Sequence, residues 1–166
     1  MTQTNILTLH LDPDSQAHFD AMRQAHYPAA LNKIAAHLTL FHTLPQEPSI
    51  TAVLDELTAK HTQFTLRVTG LRSLGRGVAY ALASPDLLAL HKELAVAFAD
   101  DLTAQDKQRF QPHIVMQNKV TSERARTLLA TLQHDFQPLE VRAEGLDLWH
   151  YLNGPWKLAN HFPFRS

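Results

Sequence analysis

Two stretches decide how this chain is read: Ala36-His37-Leu38-Thr39-Leu40-Phe41-His42 and Pro112-His113-Ile114-Val115-Met116-Gln117-Asn118-Lys119. Each carries a histidine at the head of an apolar, β-branched run of the kind that forms strands. Side chains on a strand alternate between two faces, so His37, Thr39 and Phe41 are expected on one side, and Leu38, Leu40 and His42 on the other. By the same rule His113, Val115, Gln117 and Lys119 share a face opposite Ile114 and Met116. In both strands the apolar alternates can enter a core while the histidine-led face opens to a cleft. His42, on the apolar face, reads as a supporting residue of its lobe.

Outward from these strands the chain repeats a simple order. Ile6 to Leu11 reads as a strand, and Asp12-Pro13-Asp14-Ser15 opens a helix running to about Tyr27, ahead of Pro28. The strand 36–44 follows, and then a helix starting within Pro45 to Ser49, with Ile50, Val53, Leu54 and Leu57 at helical spacing. Phe64 to Gly70 and Val78 to Ala83 form a hairpin across a Gly75-Arg76-Gly77 turn. Ser84 caps the next helix with Pro85 in its first position, and that helix is expected to end near Leu102. A polar connector, Thr103 to Gln111, leads to the second histidine strand, 113–120, and to a helix from Ser122. Val141–Leu152 and Trp156–Phe162 form a terminal hairpin around Asn153-Gly154, a pair suited to tight turns. No low-complexity linker divides the chain, so residues 1–166 are expected to form one domain.

Composition narrows the function classes. Of the 166 residues, 45% are hydrophobic and 19% charged, a globular balance rather than a disordered one. The absence of cysteine excludes disulfides, thiolate nucleophiles and Cys-based metal clusters. A net charge of −1 does not provide the field for tracking a long nucleic-acid backbone, so any nucleic-acid contact is expected to be local. The N-terminal stretch lacks a basic region and is too short and alternating for a signal peptide, and no run is long enough to cross a membrane. The expectation is a cytoplasmic protein, monomeric, with no membrane association. There is neither a His-Glu-x-x-His pattern nor a cysteine cluster, so neither a metal nor another cofactor is expected.

His37-Leu38-Thr39-Leu40 and His113-Ile114-Val115-Met116, each in a matching strand context, resemble the 2H phosphoesterases, and within them the bacterial 2′-5′ RNA ligase-like, cyclic phosphodiesterase branch. The signature of that family is two copies of His-x-Thr/Ser-x on strands of two similar lobes. The first motif matches in full, and the second has Val115 where the hydroxyl residue stands. Leu74-Gly75-Arg76-Gly77-Val78-Ala79, the run Gln117 to Val120 and the Gly154-Pro155-Trp156…Phe162-Pro163-Phe164 ending also look like this branch. The resemblance spans nearly the whole chain.

What it implies is an α+β fold of two similar lobes, each a mainly antiparallel sheet backed by helices, with the active cleft between them. It further implies metal-independent chemistry on RNA 2′,3′-cyclic phosphate ends, 2′-5′ phosphodiester linkages or small cyclic nucleotides. In-line displacement at phosphorus needs a base on the incoming oxygen and an acid on the leaving one, and His37 and His113 supply both near neutral pH. Thr39 would donate a hydroxyl to a non-bridging oxygen; Val115 marks the missing second donor, and Gln117 or Lys119 would stand in for it. Arg76 and Tyr80 at the cleft edge, and Trp149, Tyr151 and Trp156, read more readily as structural than as ligand contacts, and Lys157 has no assigned role. The competing reading is a degenerate 2H module that binds nucleotide or RNA ends without turnover.

Overall fold

A computed structural model describes residues 4–166 of the chain. The elements are β1 (Thr4–Leu11), α1 (Pro13–His26), β2 (Thr39–Pro45), α2 (Pro48–Thr58), β3 (Phe64–Ser73), β4 (Val78–Ala83), α3 (Pro85–Ala97), β5 (His113–Gln117), α4 (Ser122–His134), β6 (Leu139–Tyr151) and β7 (Trp156–Pro163). Local chemistry sets their ends. The Asp12 carboxylate accepts from Ser15 N, the Ser84 hydroxyl from Leu87 N and the Thr121 hydroxyl from Arg124 N, each satisfying a helix-end amide. Prolines stand at the starts of α1, α2 and α3, where a missing amide hydrogen costs nothing. Asn153 and Gly154 both take positive φ in the β6–β7 turn.

All seven strands pair antiparallel in the order β2-β1-β6-β3-β4-β5, with β7 also on β6. One edge of β6 pairs with β1. The other is divided: residues 139–143 pair with β3, and residues 145–151 with β7. This division creates the two lobes, β2-β1-β6-β7 and β3-β4-β5. They are not two separate sheets, because the β3–β6 pairing makes the hydrogen-bonded network continuous. Each lobe repeats a strand, a helix and a second strand that pairs back on the first and starts at or just after a motif histidine: β1-α1-β2 and β4-α3-β5.

The helices are exchanged between the lobes. α1, from the first unit, packs on β5 of the second, with Phe19 5.8 Å from the Tyr80 ring. α3, from the second unit, packs on β2 of the first: His91 stacks on Phe41 at 4.6 Å, and Phe98 meets Phe41 edge-on at 6.1 Å. The core therefore runs through both lobes as one cluster that includes Leu7, Phe19, Leu38, Phe41, Leu66, Leu90, Ile114 and Met116.

Four expectations about these two strands are corrected here. β2 begins at Thr39, so His37 lies just ahead of the strand rather than in it, although Leu38 O already accepts from Leu9 N. Register shifts along β1–β2 break the alternation, so Phe41 is fully buried and His42 is exposed, the reverse of the simple period-two reading. In β5 a further shift pairs Val115 with Ala79 but Gln117 with the next residue back, Val78, so Gln117 is out of step with His113 and Val115. A Cβ at Gly77 would overlap the Gln117 carbonyl oxygen, which is why this crowded end of the hairpin takes glycine. The strand stops at Gln117 instead of continuing to Val120, because Lys119 turns the chain with a positive φ of 62°.

Candidate active site

The two histidines are held alike. His37 Nδ1 lies 2.8 Å from the carbonyl oxygen of Ala35, and His113 Nδ1 lies 2.8 Å from that of Gln111, in each case two residues back. A carbonyl only accepts, so Nδ1 carries the hydrogen in both rings and Nε2 is left free with its lone pair. The tautomer is thus fixed twice by the same local device.

Their mutual placement comes from α1 and from the connector before β5. Along one face of α1, Gln16 Nε2 donates to Ala36 O (2.8 Å), Asp20 Oδ1 accepts from Ala36 N (2.8 Å), and the buried Arg23 donates through Nη1 to Val115 O (3.3 Å). One helix face therefore grips the residue before His37 and the residue two after His113. From the other direction the buried Asp106 accepts from the backbone amides of His42 (2.8 Å) and Thr43 (2.9 Å), and pairs with His42 Nδ1 at 3.1 Å. The segment leading to His113 is tied in this way to the strand that follows His37.

Burial pushes the His37 pKa down to about 4, and the positive charges of Arg23, His42 and His113 act in the same direction against the Ala35 hydrogen bond. His113 is also lowered by burial, with Arg72 and His42 contributing and the Gln111 carbonyl opposing. That the charge of His113 bears on His37 places the two imidazoles in one electrostatic neighbourhood. His42, assigned by alternation to the other face, acts on both.

Arg72 is a second residue that the sequence reading missed. Register aligns Arg72 with Ala79 and Ala79 with Val115, and similarly Gly70, Ala81 and His113, so Arg72, Val115 and His113 stand on one face of β3-β4-β5. Small Ala79 and Ala81 leave room for the guanidinium, whose Nη1 lies 3.4 Å from His113 Nδ1. Both nitrogens carry hydrogens, so this contact is one of charge rather than a hydrogen bond. The signal available in sequence was a cationic position in step with Ala79 across the hairpin.

Thr39 lies opposite Thr8 and is half-buried, as is Val115; Lys119 is exposed; Gln117 is buried with its Oε1 unpaired. Arg76 is structural, donating Nε to Val120 O at 2.9 Å, and Tyr80 belongs to the core. A cavity of about 610 Å³ opens beside His37, with Trp149, Trp156, Leu158, His10, Asp147 and His161 among its lining residues. Trp156 sits 4.7 Å from the His37 ring and Trp149 donates Nε1 to Thr8 Oγ1, while Tyr151 and Lys157 are exposed. His113 lies outside this cavity, so the cavity belongs to the first lobe.

A two-lobed antiparallel α+β fold with paired histidine motifs defines a class, the 2H phosphoesterases. A family model described as the 2′-5′ RNA ligase superfamily matches residues 11–155, and the chain belongs to that family. Among solved structures it is similar to TT0787 of Thermus thermophilus (18% identity, 98% of each chain, TM-score 0.71). It is also similar to Escherichia coli LigT in complex with 3′-AMP (17% identity, 100% of each chain, TM-score 0.62) and to a protein described only as a phosphoesterase (18% identity, 100% of each chain, TM-score 0.63). At these identities the likeness establishes the fold. No match was found among curated proteins.

Proposed function

We propose that the chain is a two-histidine phosphoesterase that acts on RNA 2′,3′-cyclic phosphate ends, 2′-5′ linkages or small cyclic nucleotides, residues 1–166 working as one unit in the cytoplasm. The observation that carries this reading is the matched fixing of His37 and His113 through Nδ1, with each Nε2 left free and one face of α1 tied to both motifs. His37, the ring that holds a proton least, serves as the base; His113 serves as the acid. The opposite assignment would put the proton on the less favourable ring. Thr39 and Arg72 hold the non-bridging phosphoryl oxygens, Arg72 standing beside the hydroxyl that Val115 lacks. Gln117 and Lys119, out of step with that face, are secondary candidates for the same role. Trp156 and Trp149 offer a wall for a nucleobase next to His37. LigT has been seen with 3′-AMP, ATP and NADP+, which supports a ligand of nucleotide type here.

The test is a panel of the four 2′,3′-cyclic nucleotides and a short RNA with a cyclic end, incubated in EDTA and analysed for which oxygen keeps the phosphate. Product is expected in chelator, and its loss in His37→Ala and His113→Ala alike, because an acid–base pair acts as a unit. Activity that persists in either variant, or that needs added metal, rejects the mechanism. The rival that Val115 motivates is a module that binds without turnover; nucleotide binding with no product at high protein concentration would select it.

A further inference from the structure

The first lobe carries a second cluster of chemically able side chains that the two-histidine mechanism does not use. His10 on β1, Asp147 on β6 and His161 on β7 come from neighbouring strands, and one ligand atom from each lies within 4.8 Å of the other two. His10 Nδ1 is 2.8 Å from Asp147 Oδ2, and His161 Nδ1 is 2.7 Å from Asp147 Oδ1. Among the described residues, the carboxylate's ion-pair partners are these two imidazoles alone, although Asp147 is buried. A buried carboxylate without a lysine or arginine is a place for another cation.

We propose that His10, Asp147 and His161 bind one divalent first-row transition ion, of the zinc, cobalt or nickel type, in the wall of the cleft beside His37. The donor set is right for such ions: two imidazoles and a carboxylate, with no thiolate. Donors about 2.1 Å from an ion and at right angles to each other lie about 3.0 Å apart, against about 3.4 Å for tetrahedral angles. The observed 2.7 and 2.8 Å are hydrogen-bond lengths to the two different Asp147 oxygens, so the donors already stand close enough to reach one ion by small outward shifts. The side chains of His10 and His161 are 40% and 38% exposed while Asp147 is 12%, so the open positions of the ion face the cleft. Water or an anionic oxygen of a bound ligand completes the shell there. For ligation through Nδ1, the hydrogen that each neutral ring now donates to Asp147 is exchanged through solvent to Nε2, a change of tautomer with no net loss of a proton.

Gly145 is what allows the cluster to form. It pairs with His10 on one side and Pro163 on the other, and a Cβ there would stand 3.1 Å from His161 Cε1 and 2.5 Å from Phe162 O. Without that side chain the His161 ring folds in over β6 until its centroid is 4.3 Å from that of His10. The donors are thus set on three paired strands before any ion arrives.

The experiment uses tag-free, full-length protein titrated with Ni²⁺ by calorimetry and by intrinsic fluorescence. Both tryptophans of the chain line this cavity, so a paramagnetic ion here quenches them directly. The expected result is one ion per chain with saturable quenching. His10→Gln and His161→Gln, at partly exposed positions that tolerate substitution, should each weaken binding by about tenfold or more, as should Asp147→Asn, while His37→Gln leaves it unchanged. The proposal is overturned if no stoichiometric binding occurs up to millimolar Ni²⁺, if it survives in both histidine variants, or if it is lost in His37→Gln and kept in His161→Gln. None of these readouts uses substrate, so the result stands apart from the phosphoesterase reading.

Discussion

His37 and His113 are the same side chain in different surroundings, and the difference has a consequence in pH. If His37 is the base, as proposed, it must be neutral, so kcat/KM is lost as pH falls through its value, near 4. The acid must be protonated, so kcat/KM is lost as pH rises through the His113 value, which lies below 6.5. The free-enzyme profile on a cyclic nucleotide should therefore be a bell with its maximum between about pH 4 and 6.5; a maximum above 7 would show that these environments do not govern the reacting groups. Val115 permits a second measurement at this scale. Val115→Thr adds a hydroxyl with little change of shape and should raise kcat/KM on the order of tenfold, less than the ~10²–10³ associated with a well-placed donor, because in the proposed mechanism Arg72, on the same face, already serves the same oxygens. A well-folded variant with equal or lower turnover would count against a donor role at this position. Placing a hydroxyl at a half-buried apolar site should cost a little stability.

At the scale of elements, the machinery that aligns the two histidines lies in α1 and in the connector before β5, and neither stood out in the sequence. Gln16, Asp20 and Arg23 occupy one helix face, a spacing that reads equally well as a solvated surface, and Asp106 lies in a polar loop with nothing local to mark it. The histidine motifs were legible because residues two apart carry both the chemistry and the strand pattern. The strands, helices, caps and the Asn153-Gly154 turn followed from the same short-range rules. What escaped was set by distant pairing: the register shifts that expose His42 and turn Gln117 out of step, the rung that brings Arg72 beside His113, and the His10–Asp147–His161 cluster, whose members are far apart in the chain. Asp106→Ala removes the acceptor of two backbone amides and should cost about 1–3 kcal/mol, the usual penalty for stranded buried groups. Asp20→Ala strands one such amide beside His37 and should cost less stability but lower kcat more than KM changes, since it loosens the proposed catalytic ring rather than the ligand wall. Denaturant melts and steady-state kinetics of the two variants check this split.

At the scale of the whole molecule, exchanged helices mean that neither lobe has a complete core of its own. Phe41 of the first lobe is covered by His91 of α3 and by Phe98 just past its end, and Phe19 of α1 covers Tyr80 of the second, while β6 pairs into both halves of the sheet. If one lobe opens, the other loses the helix that seals it, so the two should unfold together. The chain offers a way to see this, because both tryptophans lie in β6–β7 of the first lobe whereas far-UV circular dichroism reports on all the helices and strands. The two signals should give one coincident urea transition, as expected of a two-state unit. Phe41→Ala, at a fully buried position where the lobes meet, should shift both by the same amount, about 3–5 kcal/mol for a large aromatic removed from a core. Separate midpoints in the wild type, or a variant that moves the tryptophan signal and leaves the dichroism behind, would show lobes that fold independently. In that case the alignment of His37 with His113 would depend on docking between folded parts, and activity would fall at denaturant concentrations where both lobes are still intact. If the lobes fold as one, activity and structure should be lost along the same curve.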